Sequence, residues 1–227
     1  MAGSGVDLEV NWSLHMVHVQ SVEEPFKKPE IVGPAFGVLR RADAMGLFTK
    51  TIGKLDFPAF REVVQSLRKA GIAREAEKAI QFFTIKNLPP DLNSGELLRF
   101  IKILTDALEE SPAPPYEWQR LTSLFQPEPE GLAELLGISL SSLRRYRSKE
   151  RETPDDVAAR LHFLALLTGD LAGAYNAMGV RNWFRRKRAL LDGKAPKDLL
   201  HGDWGPGDPG PERVRALARS LAAGSAT

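Results

Sequence analysis

Side chains able to do chemistry are concentrated between positions 139 and 151. Ser139, Ser141 and Ser142 precede Arg144, Arg145, Arg147, Ser148, Lys149 and Arg151. A guanidinium makes paired hydrogen bonds to guanine edges or phosphate oxygens. An ammonium meets phosphate as a point charge, and a hydroxyl bonds to either bases or phosphates. The chemistry on offer is the binding of a polyanion rather than bond-making. Leu143 and Tyr146 stand three apart and define the inward stripe of a helix. Ser141, Ser142, Arg144, Arg145 and Ser148 then face outward, with Arg147, Lys149 and Arg151 close by. The N-terminal residues of a helix laid in a major groove reach the bases. That assigns Ser141, Ser142 and Arg145 to base contacts, and Arg144, Arg147 and Lys149 to phosphates. The competing reading is a helical hairpin with a solvated basic face. A second basic cluster, Arg181, Arg185, Arg186, Lys187 and Arg188, either adds phosphate contacts or is a solvated helix face.

Other chemistry finds no constellation. The histidines are His15, His18, His162 and His201, and no Asp or Glu cluster beside His15 and His18 completes a metal site. His162 lies in an apolar stretch and reads as a hydrogen-bonded core residue. No glycine-rich phosphate loop and no Gly-x-Ser-x-Gly element occurs. Asp155–Asp156 suits the start of a helix, and Glu109–Glu110 suits a solvated face. Trp118 and Trp183 read as core anchors. The expectation is a protein with no catalytic, metal or cofactor site, and not an enzyme.

The basic run needs a rigid mount, and residues 131–149 (GLAELLGISLSSLRRYRSK) supply one. Leu132, Ala133 and Leu136 can face inward from a first helix, with Ala133 small where the helices cross. Gly137 permits positive φ at the turn, Ile138 fills it, and Ser139 can cap the second helix. This is the pattern of a helix-turn-helix.

Around it the chain reads as helical. The helical pattern begins at Pro34. Phe60, Val63, Val64 and Leu67 make one apolar stripe, which Gly71 ends. Ala76, Ala79, Ile80 and Phe83 repeat the spacing. Asn87–Asn93, with Pro89 and Pro90, reads as a loop. Ser94 can cap a helix carrying Leu97, Ile101, Leu104 and Leu108, which stops at Ser111–Pro115. Pro115 can start a helix with Trp118, Leu121 and Phe125, ended by Pro127 and Pro129. Thr153 can cap, and Pro154 open, a helix over the almost wholly apolar Val157–Leu167. Gly202–Gly210 is a loop before a last helix with Val214, Leu217, Ala218 and Leu221. For residues 1–33, Val17, Val19 and Val22 suggest an extended segment that Pro25 and Pro29 interrupt; arm, edge strand and disorder all stay open.

The predicted class is all-α, in four parts. Residues 1–33 are an arm or flexible segment, 34–111 an N-terminal helical domain, 112–168 the helix-turn-helix region and 169–227 a partner-binding region. Of the 227 residues, 43% are hydrophobic and 26% charged, enough apolar material for a sizeable core. The net charge of +2 says little about partners; its clustering says more. With no cysteine, disulfides and thiolate metal sites are excluded, and a reducing compartment is the natural setting. No apolar run approaches the roughly 20 residues that span a bilayer. The first ten residues, MAGSGVDLEV, lack the basic and apolar regions of a signal peptide. A cytoplasmic location is expected.

From about Gly131 onward the chain resembles the Xre/MbcA/ParS antitoxins, partners of RES-domain toxins. The resemblance is carried by Leu136-Gly137-Ile138-Ser139, by Thr153-Pro154 before a long apolar helix, and by Gly169-Asp170-Leu171, like the family's Gly-Asp-Pro. Trp183 matches a helix-ending tryptophan, and Leu191–Leu200 (LDGKAPKDLL) is similar to the family's L-x-G-x-x-P-x-D-L-L. It implies an Xre-like DNA-binding region followed by a toxin-binding region, and a protein that neutralises a RES-type toxin and represses its own operon. Partner contact would fall on Trp183, Gly193, Pro196, Leu199, Leu200 and Trp204. A surface over about 170–221, separate from the DNA surface, is expected. Trp204 is placed either exposed, as an interface anchor, or folded back onto Leu199 and Leu200. Residues 1–111 lie outside the resemblance. A homodimer is expected, because one helix-turn-helix reads few base pairs. A regulator without a toxin, and an interaction scaffold that no longer binds DNA, are the alternatives.

Overall fold

The computed structural model describes residues 19–72, 76–84, 92–126 and 128–224. Among them the regular structure is helical apart from one two-stranded sheet, as the apolar periodicity requires. In order come β1 (Ser21–Val22), α1 (Pro29–Ala44), β2 (Lys54–Leu55), α2 (Phe57–Lys69), α3 (Glu77–Thr84) and α4 (Ser94–Glu110). Then follow α5 (Pro114–Leu124), α6 (Pro129–Leu136), α7 (Leu140–Arg147), α8 (Asp155–Leu171) and α9 (Ala177–Arg185). A 3-10 turn (Ala189–Leu191), α10 (Pro196–Leu199) and α11 (Pro209–Gly224) complete the described chain.

α8 explains its own composition. Val157, Leu161, Phe163–Leu167 and Leu171 are all buried, because α1, α5, α6 and α11 pack around this helix. α1 lies between α4 and α8. Its close approach to α8 occurs at Gly169, where a Cβ would sit 3.1 Å from the Arg41 Cα and 3.2 Å from the Arg40 carbonyl oxygen. The stripe Phe60, Val63, Val64 and Leu67 is the buried face of α2, and Leu97, Ile101, Leu104 and Leu108 that of α4. Phe26, Phe57, Phe60, Phe82, Phe83 and Phe100 form a chain of ring contacts through this end of the molecule. One apolar core extends from Phe26 to Ala218.

Several starts and caps differ from expectation. α1 begins at Pro29 and carries Pro34 inside it, since a fixed φ suits the first helical position and buried Ile31 and Ala35 hold the turn around Pro34. The extended hint near Val22 becomes β1, parallel to β2 with Ser21 opposite Lys54 and Val22 opposite Leu55. Val17, His15, His18, Pro127 and positions 87–91 of the loop expected at Asn87–Asn93 lie outside the described residues. Asn93 rather than Ser94 caps α4, its side chain accepting from the Glu96 amide at 2.8 Å. Ser94 is the first helical residue and accepts instead from Lys28 Nζ at 2.9 Å. Pro129 opens α6 rather than ending the helix before it. Thr153 caps nothing: its hydroxyl accepts from the Trp118 indole at 2.9 Å, and Pro154 is the residue before α8. α5 starts at Pro114, and α11 at Pro209, within the expected loop. No helix among the described residues is long and apolar enough to cross a membrane.

Candidate nucleic-acid interface

The basic run is mounted on α6 and α7, joined by Gly137, Ile138 and Ser139. Gly137 takes φ +66°, the left-handed geometry that ends α6 and that a side chain would strain. The Ile138 amide bonds back to the Ala133 carbonyl at 3.0 Å. Ser139 caps α7 by accepting from the Ser142 amide at 3.1 Å, and its hydroxyl also meets those of Ser141 and Ser142 at 2.9 and 3.0 Å. Leu132, Ala133 and Leu136 are buried as expected; Leu135, which the sequence reading left unassigned, is buried too.

α7 is fixed by its inner face. Leu143 and Tyr146 are buried, and Tyr146 stacks on Trp118 of α5 with ring centroids 5.9 Å apart. The guanidinium of Arg151 lies over the Tyr146 ring, 5.7 Å from its centroid. With this face locked, Ser139, Ser141, Arg144, Arg145, Arg147, Ser148 and Lys149 are exposed and Ser142 is half-buried. Lys149 follows the Ser148 cap of α7 at φ +61°, its amide bonded to the Tyr146 carbonyl at 3.2 Å. The Ser148 hydroxyl faces Glu150 Oε1 at 3.0 Å.

The arginines divide into two sets. Arg41, Arg160, Arg185, Arg213 and Arg219 each pair with a carboxylate, and Arg181 Nη1 donates to the Leu124 carbonyl at 2.6 Å. Arg144, Arg145, Arg147 and Lys149 form no ion pair among the described residues. The second basic cluster is thereby split. Arg181 ties α9 to the end of α5 and Arg185 ties it to Glu128, the residue before α6; Arg188 lies 5.6 Å from the Trp183 centroid, and Arg186 and Lys187 are left exposed. The Arg185 hydrogen bond holds the Glu128 carboxyl below its ordinary range.

The residues that the family resemblance offers to a protein partner lie elsewhere in the fold. Trp183, Pro196 and Leu200 are buried, Leu199 is half-buried and Gly193 is exposed. Trp204 is 6% exposed, so the reading of it as a surface anchor is overturned. Its indole donates to the Leu135 carbonyl at 2.9 Å and meets the Phe163 ring edge-on at 5.2 Å. A tryptophan among glycines and prolines has backbone room to swing inward, which composition alone did not reveal. Among the described residues, the large apolar side chains exposed in this part of the chain are Met178 and Leu190.

No family model, curated protein or solved structure matches this chain. The likeness to the antitoxins therefore rests on the residues quoted for it.

Several buried and half-buried polar groups outside α7 are paired within the fold. Arg160, 4% exposed, pairs with Asp156 and donates to the Gly202 carbonyl at 3.3 Å. His162 is hydrogen-bonded in the core, as expected: Nδ1 lies 2.7 Å from Glu117 Oε1 and Nε2 3.0 Å from the Glu109 carbonyl. That carbonyl can only accept, so Nε2 donates. Glu117 is fully buried and its Oε2 has no hydrogen-bond partner. Glu109 is not on a solvated face: Arg41 reaches it at 2.6 Å and Arg219 at 2.8 Å, while Arg41 also contacts Asp170 at 3.3 Å. Burial alone would raise the Glu109 carboxyl, but Arg41 and Arg219 outweigh it and hold it below its ordinary value. For Asp170 burial wins over Arg41, and its carboxyl is raised. A helical i, i+4 pattern marks Arg160 beside Asp156; nothing local marks the others, whose partners are 45 to 129 residues away.

Proposed function

We propose that the protein is a DNA-binding regulator that lays α7 in the major groove of double-stranded DNA. One observation carries this reading: Arg144, Arg145 and Arg147, with Lys149 just past the end of α7, stand exposed and without carboxylate partners among the described residues, on a helix whose opposite face is locked by Leu143 and Tyr146. Arg41, Arg120 and Arg160 in the less exposed parts of the fold, and Arg185, Arg213 and Arg219 at its surface, are paired with carboxylates, whereas these four neighbouring cations form no ion pair among the described residues. Arg145, Ser141 and Ser142 face the bases on this reading, and Arg144, Arg147 and Lys149, with Ser139 and Ser148 at the two ends, face phosphates. Two copies related by a two-fold axis would read two half-sites, which makes a homodimer part of the proposal.

The resemblance extends the proposal to an antitoxin that neutralises a RES-type toxin and represses its own operon. The burial of Trp183, Leu200 and Trp204 favours a second reading, a free-standing regulator without a toxin, because these side chains already serve the core. Co-expression with a RES-domain protein separates the two, since only the first predicts co-purification.

DNA reading is tested by incubating the protein with a pool of randomised duplexes and sequencing the retained fraction. The proposal expects a short preferred sequence with inverted symmetry. No retention at low salt would overturn it.

A further inference from the structure

Residues 201–204, between α10 and α11, cross directly over the α6–α7 turn. Gly202 presents its carbonyl oxygen where a side chain on Gly137 would stand: a Cβ at position 137 would fall 2.1 Å from it. The same oxygen accepts from Arg160 Nη1, whose guanidinium is also held by Asp156 and lies 3.5 Å from Asp203. Two residues on, the Trp204 indole donates to the Leu135 carbonyl at 2.9 Å. Leu135 is in the last turn of α6, where carbonyls have no partner within the helix. The turn amides of Gly137 and Ile138 satisfy Glu134 and Ala133, and Trp204 satisfies Leu135. The Leu135 carbonyl at the end of α6 is thus satisfied by a residue 69 positions further along the chain.

We infer that residues 201–204 are a strap that fixes the α6–α7 turn, and that Trp204 and Arg160 are positioning residues which set where α7 carries Arg144 and Arg145. The inference rests on the reading of α7 as the DNA-contacting helix. It assigns the tail of the chain a place in DNA recognition without contact to DNA. Leu143 and Tyr146 pack the inner face of α7, but its N-terminal turn can still rock if the α6 end that leads into it is not held. A helix whose neighbour is pinned at Leu135 and Gly137 presents its guanidinium groups in one geometry, and base readout depends on that more than phosphate attraction does.

Two variants loosen the strap in different ways. Trp204→Phe keeps a ring beside Phe163 and removes the indole donor. Gly137→Ala pushes on the Gly202 carbonyl; its control is Gly71→Ala, which carries the same positive-φ strain at +81° with nothing within 4 Å of the added carbon. Hydrogen exchange of the full chain is read at the Gly137, Ile138 and Leu143 amides, with α1 and α4 as the internal reference. Affinity is measured for the duplex enriched by the wild-type protein and for a scrambled duplex. Both strap variants should exchange about tenfold faster at the turn, with α1 and α4 unchanged, as expected for one buried hydrogen bond lost. Preference for the enriched over the scrambled duplex should fall by a similar factor while scrambled-duplex affinity holds, and Gly71→Ala should show neither effect. Unchanged turn exchange in Trp204→Phe overturns the strap. Faster exchange with undiminished sequence preference overturns the positioning role. Faster exchange in a protein that retains no duplex overturns the DNA reading and leaves the strap standing.

Discussion

At the residue scale, the molecule contrasts charges that are spent with charges that are free. Arg144→Ala removes an exposed side chain without a carboxylate partner, so stability should move by no more than about 0.5 kcal/mol in urea unfolding. His162→Ala removes the sole hydrogen-bond partner described for the fully buried Glu117 carboxylate and should cost about 3 kcal/mol in the same measurement. Equal losses in the two variants would contradict this division. Glu109 and Asp170 set opposing pH dependences. The Glu109 carboxyl is depressed in the folded chain, so the stability it adds is present above its unfolded value and is lost as pH falls through the folded one. The Asp170 carboxyl is raised, so its ionisation costs stability above the folded value, and that cost is relieved as pH falls. Glu109→Gln should therefore reduce stability at neutral pH and flatten the acid-side decline, measured by urea unfolding between about pH 3 and pH 7. A steeper decline would contradict the assignment.

At the element scale, α7 depends on its cap. Ser139→Ala should lose about 1 kcal/mol, whereas Ser139→Asp keeps an acceptor for the Ser142 amide and should leave stability nearly unchanged. On the DNA reading the aspartate nevertheless weakens duplex binding several-fold, because it sets an anion among the phosphate-facing groups. Unaltered duplex affinity in that variant would argue against the assigned face. Much of this element could be read from sequence, because a turn glycine, a capping serine and two apolar residues three apart are local signals. α2 and α4 were legible for the same reason. Caps and starts were less so. Asn93 and Ser94 are both competent caps, and Thr153 precedes a proline and two carboxylates yet is recruited by Trp118 from another helix. Trp204 was illegible because its destination, the end of α6, is remote in sequence. The same holds for the pairing of Arg41 with Glu109 and Asp170.

At the scale of the whole molecule, the core does not pause between the N-terminal helices and the helices around α7: α1 packs on α4 and on α8, and α8 also supports α5, α6 and α11. Calorimetry should show one cooperative unfolding transition, and two well-separated transitions would contradict a shared core. Deleting residues 202–227 removes Trp204, Val214 and Ala218 from that core, so the truncation should lose thermal stability and duplex binding together. A stable truncation that still binds would show that the tail only decorates the fold. Whether α7 grips DNA through Arg144 and Arg145 is decided by the salt dependence of duplex affinity, followed by fluorescence anisotropy for the wild-type protein and for Arg144→Ala with Arg145→Ala. The double variant should stay folded, bind the duplex far more weakly and show a log–log salt slope shallower by about one unit. Wild-type affinity and an unchanged slope in the double variant would contradict that grip.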